Sequence, residues 1–428
     1  MNLKTVRGTH DTLPQEQSWW RFVKTTLFDV ADGYGFGEIA TPIMEYDQIF
    51  TKAIGTASDI VAKEMYYLEG GDNNQRVALR PEGTAGVIRA YYENGLFNEP
   101  SPLRLSYYGP MFRHEKPQRG RLRQFHQFGV ESIGEGNPSE DALCILMGKQ
   151  SLDRLTLPSG SYNIEINSVG CYTCRSKYLK RLQLFLKNVD HDALCDDCTK
   201  RATTNPMRIF DCKNATCQRH YKNTPTPLDY LCNDCRTHFK TLLEYLEEAK
   251  VKFIINSHLV RGLDYYTRTV FEFISQKGAT KDQAILAGGR YDDLVALFGN
   301  RNAPAIGYGI GIERLIQTLG DSRVKPPAPS ATQVFVVQLG ESAKRKSFTI
   351  IQQMVAAGIK VSSALSKDNL RSQLKVADRD GAQLAVIIGQ REIIDKTIIL
   401  KDMKSGGQET LEAQNCIITI LERLKTPS

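Results

Sequence analysis

Early in the chain the apolar residues Trp19, Phe22, Val23, Leu27 and Val30 recur three and four positions apart, which predicts an amphipathic helix over 14–32. A glycine-spaced turn, Gly33-Tyr-Gly-Phe-Gly37, leads into a short strand ending at Thr41-Pro42. The period then changes. The runs 65–68, 76–79, 103–107 and 125–133 are short, apolar and divided by turns, which predicts hairpins and an antiparallel sheet. Helical spacing returns at 84–94 and 138–155, and strand-like text resumes at 253–255 and 269–274. Between them, about 170–245 is polar and rich in lysine and cysteine, and reads as an insertion. Past Val324-Lys-Pro-Pro-Ala-Pro-Ser330, a linker by composition, come a strand (334–339), a helix (341–357), a strand (359–363), a helix (367–379) and a buried strand (384–388). That βαβαβ alternation predicts a small α/β domain. The expected class is therefore α+β. A catalytic domain spans 1–323 with the insertion inside it, 324–330 links, and a second domain fills 331–428.

The composition is that of a globular chain: 41% hydrophobic and 24% charged over 428 residues. No apolar run of 18 residues occurs, which argues against a membrane helix. The first residues show neither an apolar signal core nor a transit pattern, so a cytoplasmic location is expected. The net charge of +7 permits a polyanionic partner without requiring one. Eight of the ten cysteines fall between 171 and 235, which points to metal rather than disulfides.

The densest chemistry lies in Phe112-Arg-His-Glu115 and the segment after it, which carries Arg119, Arg121 and Arg123 around Gly120 and closes Phe128-Gly-Val-Glu131. Arg113 and Glu115, two apart in a strand, share a face. Guanidinium groups grip phosphate or carboxylate in bidentate fashion, so the pattern suits a phosphate-handling hairpin; taken alone, a basic surface hairpin explains it as well. Gly307-Tyr-Gly-Ile-Gly-Ile-Glu-Arg314 lacks the third glycine of a dinucleotide loop. Its alternate glycines leave one strand face bare, for a flat ligand or for tight packing.

Taken together, Arg113 with Glu115, Arg121-x-x-x-Phe125 and the glycine-spaced strand ending Glu313-Arg314 resemble motifs 2 and 3 of the class II aminoacyl-tRNA synthetases. The helix and turn ending at Pro42 look like motif 1. Leu259-Val-Arg-Gly-Leu-Asp-Tyr-Tyr-Thr-Arg-Thr-Val-Phe-Glu272, Ala287-Gly-Gly-Arg-Tyr-Asp292 and Arg80-Pro-Glu-Gly-Thr84 are similar to signatures of the histidyl-tRNA synthetase family, and the C-terminal region resembles its anticodon-binding domain.

The resemblance implies ligation of L-histidine to tRNA(His) with ATP and Mg²⁺ by a homodimer. Arg113 and Arg261 would be the catalytic cations at the α-phosphate. Glu82 and Thr84 would take the histidine ammonium, Glu131 and Tyr266 the imidazole, and Gln127 and Tyr265 would complete the pocket. Phe125 and Arg314 would sandwich adenine, with Glu115 beside it. Gln118 and Arg119 would touch the tRNA acceptor end. A non-catalytic paralogue would lose these residues, and a zinc-ribbon nucleic-acid binder would explain only the insertion.

In that insertion the spacing is Cys171-x2-Cys174, Cys195-x2-Cys198, Cys212-x4-Cys217 and Cys232-x2-Cys235. Two Cys-x2-Cys hooks 20 residues apart fit the zinc-ribbon pattern, so two structural Zn²⁺ sites are expected, paired sequentially or crosswise. Reduced thiols without metal are the alternative. With few apolar residues apparent there, zinc would supply much of the folding energy, and its removal would loosen the insertion first, with activity declining later or only partly.

Overall fold

The structure is a computed structural model that describes residues 3–55, 58–71, 75–116, 120–299, 301–327 and 332–425. The chain divides into two compact units, Met1–Pro326 and Pro327–Ser428.

The first unit is built on an eight-stranded sheet. Its strands, with those of a small satellite sheet, are in chain order β1 Gly37–Glu38, β2 Met44–Tyr46, β3 Tyr66–Tyr67, β4 Val77–Leu79, β5 Leu103–Phe112, β6 Gln124–Ile133, β7 Tyr162–Ser168, β8 Ile254–Ile255, β9 Thr267–Ser275, β10 Ala284–Arg290 and β11 Ala305–Gly311. The order across the large sheet is β1-β5-β6-β11-β10-β9-β7-β8, antiparallel except for the parallel pairs β1–β5 and β7–β8 at its edges. Around it lie helices α1 Gln17–Gly33, α2 Asp47–Ile54, α3 Thr84–Glu93, α4 Pro138–Arg154, α5 Tyr172–Leu186, α6 Asp196–Thr204, α7 Ala215–Tyr221, α8 Asn233–Glu248 and α9 Ile312–Asp321. Val23, Leu27 and Val30 of α1 pack with Ile145 and Leu152 of α4 and with sheet residues Phe128, Phe271 and Ile310 in one buried cluster. Arg80 fastens the segment after β1 to β5: Nε donates to the Pro110 carbonyl at 2.9 Å and Nη1 to the Thr41 carbonyl at 2.8 Å.

The expected strand up to Thr41-Pro42 shrinks to two residues, because that arginine, rather than a sheet ladder, holds Thr41. The insertion also differs from expectation. It is helical and far from devoid of core: Tyr178, Leu182 and Leu186 of α5, four apart, and Phe239, Leu242 and Leu246 of α8 are buried in the two main clusters. Those apolar stripes are narrow, and the lysines between them mask the period in the sequence.

The second unit has a five-stranded sheet. Its strands are β12 Val334–Gln338, β13 Val361–Ser363, β14 Leu384–Ile388, β15 Thr397–Asp402 and β16 Gln408–Glu412, in the order β13-β12-β14-β15-β16. Helices α10 Glu341–Ala356, α11 Leu370–Arg379, α12 Gln390–Asp395 and α13 Cys416–Lys425 accompany it. The antiparallel hairpin β15–β16 and α13 extend the expected βαβαβ core. No helix among the described residues is long and apolar enough to cross a membrane.

Candidate active site

The long hairpin β5–β6 and its neighbour β11 form the floor of the site. Glu131 on β6 faces Gly307 on β11, and Gln127 faces Gly311. A Cβ at Gly307 would overlap the Glu131 carboxylate, and one at Gly309 would overlap the Gln127 amide. The bare face of the glycine-spaced strand is therefore filled by these two side chains, not left open for a flat ligand as its spacing allowed.

Glu131 is buried and takes two hydrogen bonds: the Thr84 hydroxyl donates to Oε1 at 2.7 Å, and the Tyr291 hydroxyl makes a short bond to Oε2. Burial pushes its pKa up to about 8 although both hydroxyls favour the ionised form. Glu82, also buried, accepts the backbone N–H groups of Thr84 and Ala85 at 2.8 and 2.9 Å, at the start of α3. Burial raises its pKa against those bonds. Tyr265 lies against Tyr266 (centroids 4.7 Å apart) and against Tyr291 at 5.6 Å. The carboxylates, Thr84 and the tyrosines thus meet in one pocket. Gln127 brings a buried Oε1 that has no partner among the described residues.

Two contacts go beyond what the resemblance implied. Thr84, assigned to an ammonium, spends its hydroxyl on Glu131 because α3 starts directly over β6. A tyrosine hydroxyl also reaches Glu131, from Tyr291, which stands inside Ala287-Gly-Gly-Arg-Tyr-Asp292 and was given no role of its own.

The cations gather beside this pocket. Arg113 donates from Nε to the Pro81 carbonyl at 2.9 Å, and its guanidinium lies 5.2 Å above the Phe125 ring. Glu115 is 3.8 Å from Arg113 and 3.2 Å from Arg121. Arg314 donates to the carbonyls of Ala284 and Gly120 at 2.7 and 2.9 Å, leaving Nε buried without a partner among the described residues. Burial, then the positive charge of Arg121, lowers its pKa, so an anion would be welcome there. Glu313 accepts the His126 backbone N–H and so pins the start of α9 to β6. Arg261 makes a very short ion pair with Glu272, and its guanidinium stands 5.7 Å from the Tyr266 ring centroid. Burial disfavours its charge, but Glu272 and Tyr266 outweigh burial and keep it protonated. Gln118 and Arg119 lie outside the described residues.

Behind the pocket sits an ionic node whose central pair, Arg290 and Asp141, is fully buried. Arg290 of β10 pairs closely with Asp141 of α4 and reaches Asp292 at 3.0 Å. Asp141 also accepts from His238 of α8 at 2.8 Å and from Thr269 at 2.5 Å. The node sets Arg290, and hence Tyr291 after it, by links to three other elements.

The cysteines form two tight groups: Cys171, Cys174, Cys232 and Cys235, and Cys195, Cys198, Cys212 and Cys217. In each, all four Sγ atoms lie within 4.8 Å of one another. The pairing is nested, outer hooks with outer and inner with inner, rather than the sequential or crosswise pairing expected. The physical reason is helical: α5 carries the chain away from the first hook and α8 starts at the last, beside it. Sγ separations of 3.6 Å (Cys171–Cys174) and 3.8 Å (Cys195–Cys212) suit a tetrahedron edge of about 3.8 Å for Zn–S bonds of about 2.3 Å, not a disulfide at about 2.0 Å. Backbone N–H groups of Cys232, Cys195 and Asn214 point at Cys174, Cys217 and Cys212 at 3.0, 3.3 and 3.4 Å, which favours thiolates. Gly170, at φ +72°, lets the chain turn into the first hook, where a Cβ would strike Cys174.

The histidyl-tRNA synthetase family model matches residues 8–315, and an anticodon-binding-domain model matches 333–423. A histidine–tRNA ligase of Halothermothrix orenii is 42% identical over 417 residues, covering 97% of this chain and 98% of its own. One from Clostridioides difficile is 40% identical over 427 residues, covering 99% of each. The solved structure of apo S. aureus histidyl-tRNA synthetase superposes with a TM-score of 0.82 at 31% identity, covering 98% of this chain and 100% of that one.

Proposed function

The chain belongs to the histidyl-tRNA synthetase family and ligates histidine to tRNA using ATP, and from that premise we propose which residues carry the reaction. The observation that carries the assignment is the placing of paired buried carboxylates, Glu82 and Glu131, beside the cations Arg113 and Arg261. The histidine carboxylate oxygen attacks the α-phosphorus, a new P–O bond forms, and the bond to the β-phosphate oxygen breaks to release pyrophosphate. A tRNA 3′-terminal hydroxyl then displaces AMP from the histidyl carbonyl. Positioning and charge stabilisation dominate such chemistry. Arg113, held by Pro81, grips the α-phosphate and the attacking carboxylate. Arg261, held by Glu272, meets the same phosphate from its other side. Phe125 and Arg314 take the adenine, with Glu115 at its edge. Mg²⁺ arrives with the ATP phosphates as part of the substrate. Glu115 and Glu272 are already paired with arginines, and only the cysteines group as metal ligands among the described residues. Glu82 takes the histidine ammonium, and Glu131 takes an imidazole N–H. Tyr265, Tyr266 and Gln127 close the pocket. Each cysteine group holds one structural Zn²⁺. The protein works as a cytoplasmic homodimer on tRNA(His).

The test of the whole reading is histidine-dependent ATP–pyrophosphate exchange measured across all twenty amino acids; exchange with another amino acid, or none, overturns it. Two narrower results are expected. Above pH 8, where Glu131 is mostly ionised, Glu131→Gln raises the KM for histidine about tenfold, the worth of a charge-assisted bond over a neutral one, and leaves the KM for ATP near its parent value. Because Glu131 titrates near 8, its ionised form, the imidazole acceptor, grows as pH rises from 7 to 9. Parent histidine affinity should strengthen over that window and the variant's should not. Equal KM changes for both substrates would move Glu131 out of the pocket. Ending the chain at Pro326 should spare exchange and lower tRNA charging by about tenfold or more, the loss of a single contact of about 1.4 kcal/mol sufficing. Each unit has its own buried clusters, so the first should fold alone. Parallel loss of both activities contradicts a separate anticodon-binding unit.

A further inference from the structure

The residues held by the cysteine groups reach the loop that carries Arg261. Arg175, directly after Cys174, donates to the Asp264 carbonyl at 2.7 Å and lies 3.7 Å from its carboxylate. Asn205, between Cys198 and Cys212, donates to both Asp264 carboxylate oxygens at 3.0 and 3.2 Å. Arg208 donates to the Gly262 carbonyl at 2.7 Å and is itself fixed by Asp211 at 2.6 Å and Asp59 at 3.5 Å. Residues 261–266 belong to no helix or strand. The short stretch Gly262–Asp264, between Arg261 and the tyrosines, is therefore set from outside by three side chains of the insertion. Two of them stand in the 13 residues that separate Cys198 from Cys212, a segment whose ends are both ligands of the inner cysteine group.

We propose that Zn²⁺ in the inner group braces the Arg261 loop through Asn205 and Arg208, so that metal loading governs the rate of histidine activation although the metal takes no part in the chemistry. This rests on the reading above that Arg261 acts at the α-phosphate and that the cysteines bind zinc. Four thiolates fix where the inner segment starts and ends. Without the ion the thiolates protonate or repel, the segment loosens, and the two positioning residues lose their register on Gly262 and Asp264. On this reading activity falls together with the loosening of the insertion rather than later or only partly.

The test uses the full chain and zinc itself. Elemental analysis of protein made without a metal-chelating tag should give two Zn²⁺ per chain, one for each group. Cys195→Ser with Cys198→Ser should leave one and lower exchange kcat by about 10- to 100-fold, the effect of a misplacement approaching 1 Å. Arg208→Gln should keep both ions and the parent's unfolding midpoint, yet lose about tenfold in kcat with the ATP KM nearly unchanged. If two ions are found and both variants keep kcat within about threefold of the parent, the brace is overturned while the zinc reading stands. Zinc below about 0.2 per chain overturns the zinc reading and the brace with it. Should the serine variant fail to fold, Arg208→Gln decides alone. A slow Arg208→Gln beside an unimpaired Arg261→Ala would overturn the assignment of Arg261 instead.

Discussion

Replacing Arg261 with alanine is expected to lower the exchange kcat by roughly 100- to 1000-fold, the usual loss when one preorganised transition-state donor is removed. The guanidinium is built for that task. Glu272 holds one edge, Tyr266 lies beneath, and Nε is buried without a partner among the described residues. Its charge is secured despite burial, so it meets the developing negative charge at the α-phosphate with no reorganisation. Because the interaction strengthens as charge moves onto the phosphate oxygens, kcat should fall far more than either KM rises. The alanine variant also strands Glu272, whose pKa burial already raises, so the carboxyl can protonate rather than unfold the site. Arg261→Ala combined with Glu272→Gln removes both charges and should be equally slow. Exchange at saturating substrates within about threefold of the parent, in either variant, would sink the role given to Arg261.

Much of this site can be read in one dimension, because class II chemistry is concentrated on a hairpin. Arg113, Glu115, Phe125, Gln127 and Glu131 stand within 19 positions; Phe125, Gln127 and Glu131 alternate along β6 and share a face, whereas Arg113 and Glu115, expected in a strand, follow the end of β5 at Phe112 and are placed by the Pro81 carbonyl and Arg121 instead. What escaped is what the sheet brings from afar. Tyr291 reaches Glu131 across 160 positions, and nothing local marks its hydroxyl as different from those of Tyr265 and Tyr266. The glycines of β11 were legible as a bare face, but only the register with β6 shows that Glu131 and Gln127 occupy it.

The cysteines repeat the lesson at another scale. Each hook is local and legible, its two thiols three apart in three of them and five apart in Cys212–Cys217. Which hooks share an ion depends on α5 and α8, whose burial stripes bring residue 174 to residue 232. The polar composition of 170–245 hid those stripes, since a helix needs only one apolar position in three or four to dock.

The ionic node behind the pocket gives the largest expected effect on stability. Arg290→Met should destabilise the first unit by about 3–5 kcal/mol, because it strands a fully buried carboxylate. Burial alone would raise the Asp141 pKa, but Arg290 and His238 outweigh it and bring it below its ordinary value. A carboxyl lowered on folding stabilises the native state above its unfolded pKa, and that contribution fades as pH falls through the folded value. At pH 7 the parent therefore has the full contribution. In the variant Asp141 keeps His238 and Thr269 but loses the permanent charge, so burial dominates and its pKa rises above the unfolded value. The variant is then most penalised at neutral pH, and the gap to the parent narrows as the buffer approaches pH 5, where the stranded Asp141 carboxyl can protonate. Urea midpoints of both proteins at pH 5 and pH 7.5 measure this directly. Asp141→Asn with Arg290→Met, which removes both charges, should recover more than half of the loss, since a buried pair is dearer to break than to replace. A single Arg290→Met variant within about 0.5 kcal/mol of the parent at pH 7.5 would mean that His238 alone suffices for Asp141, and the node would not be what holds β10 to α4.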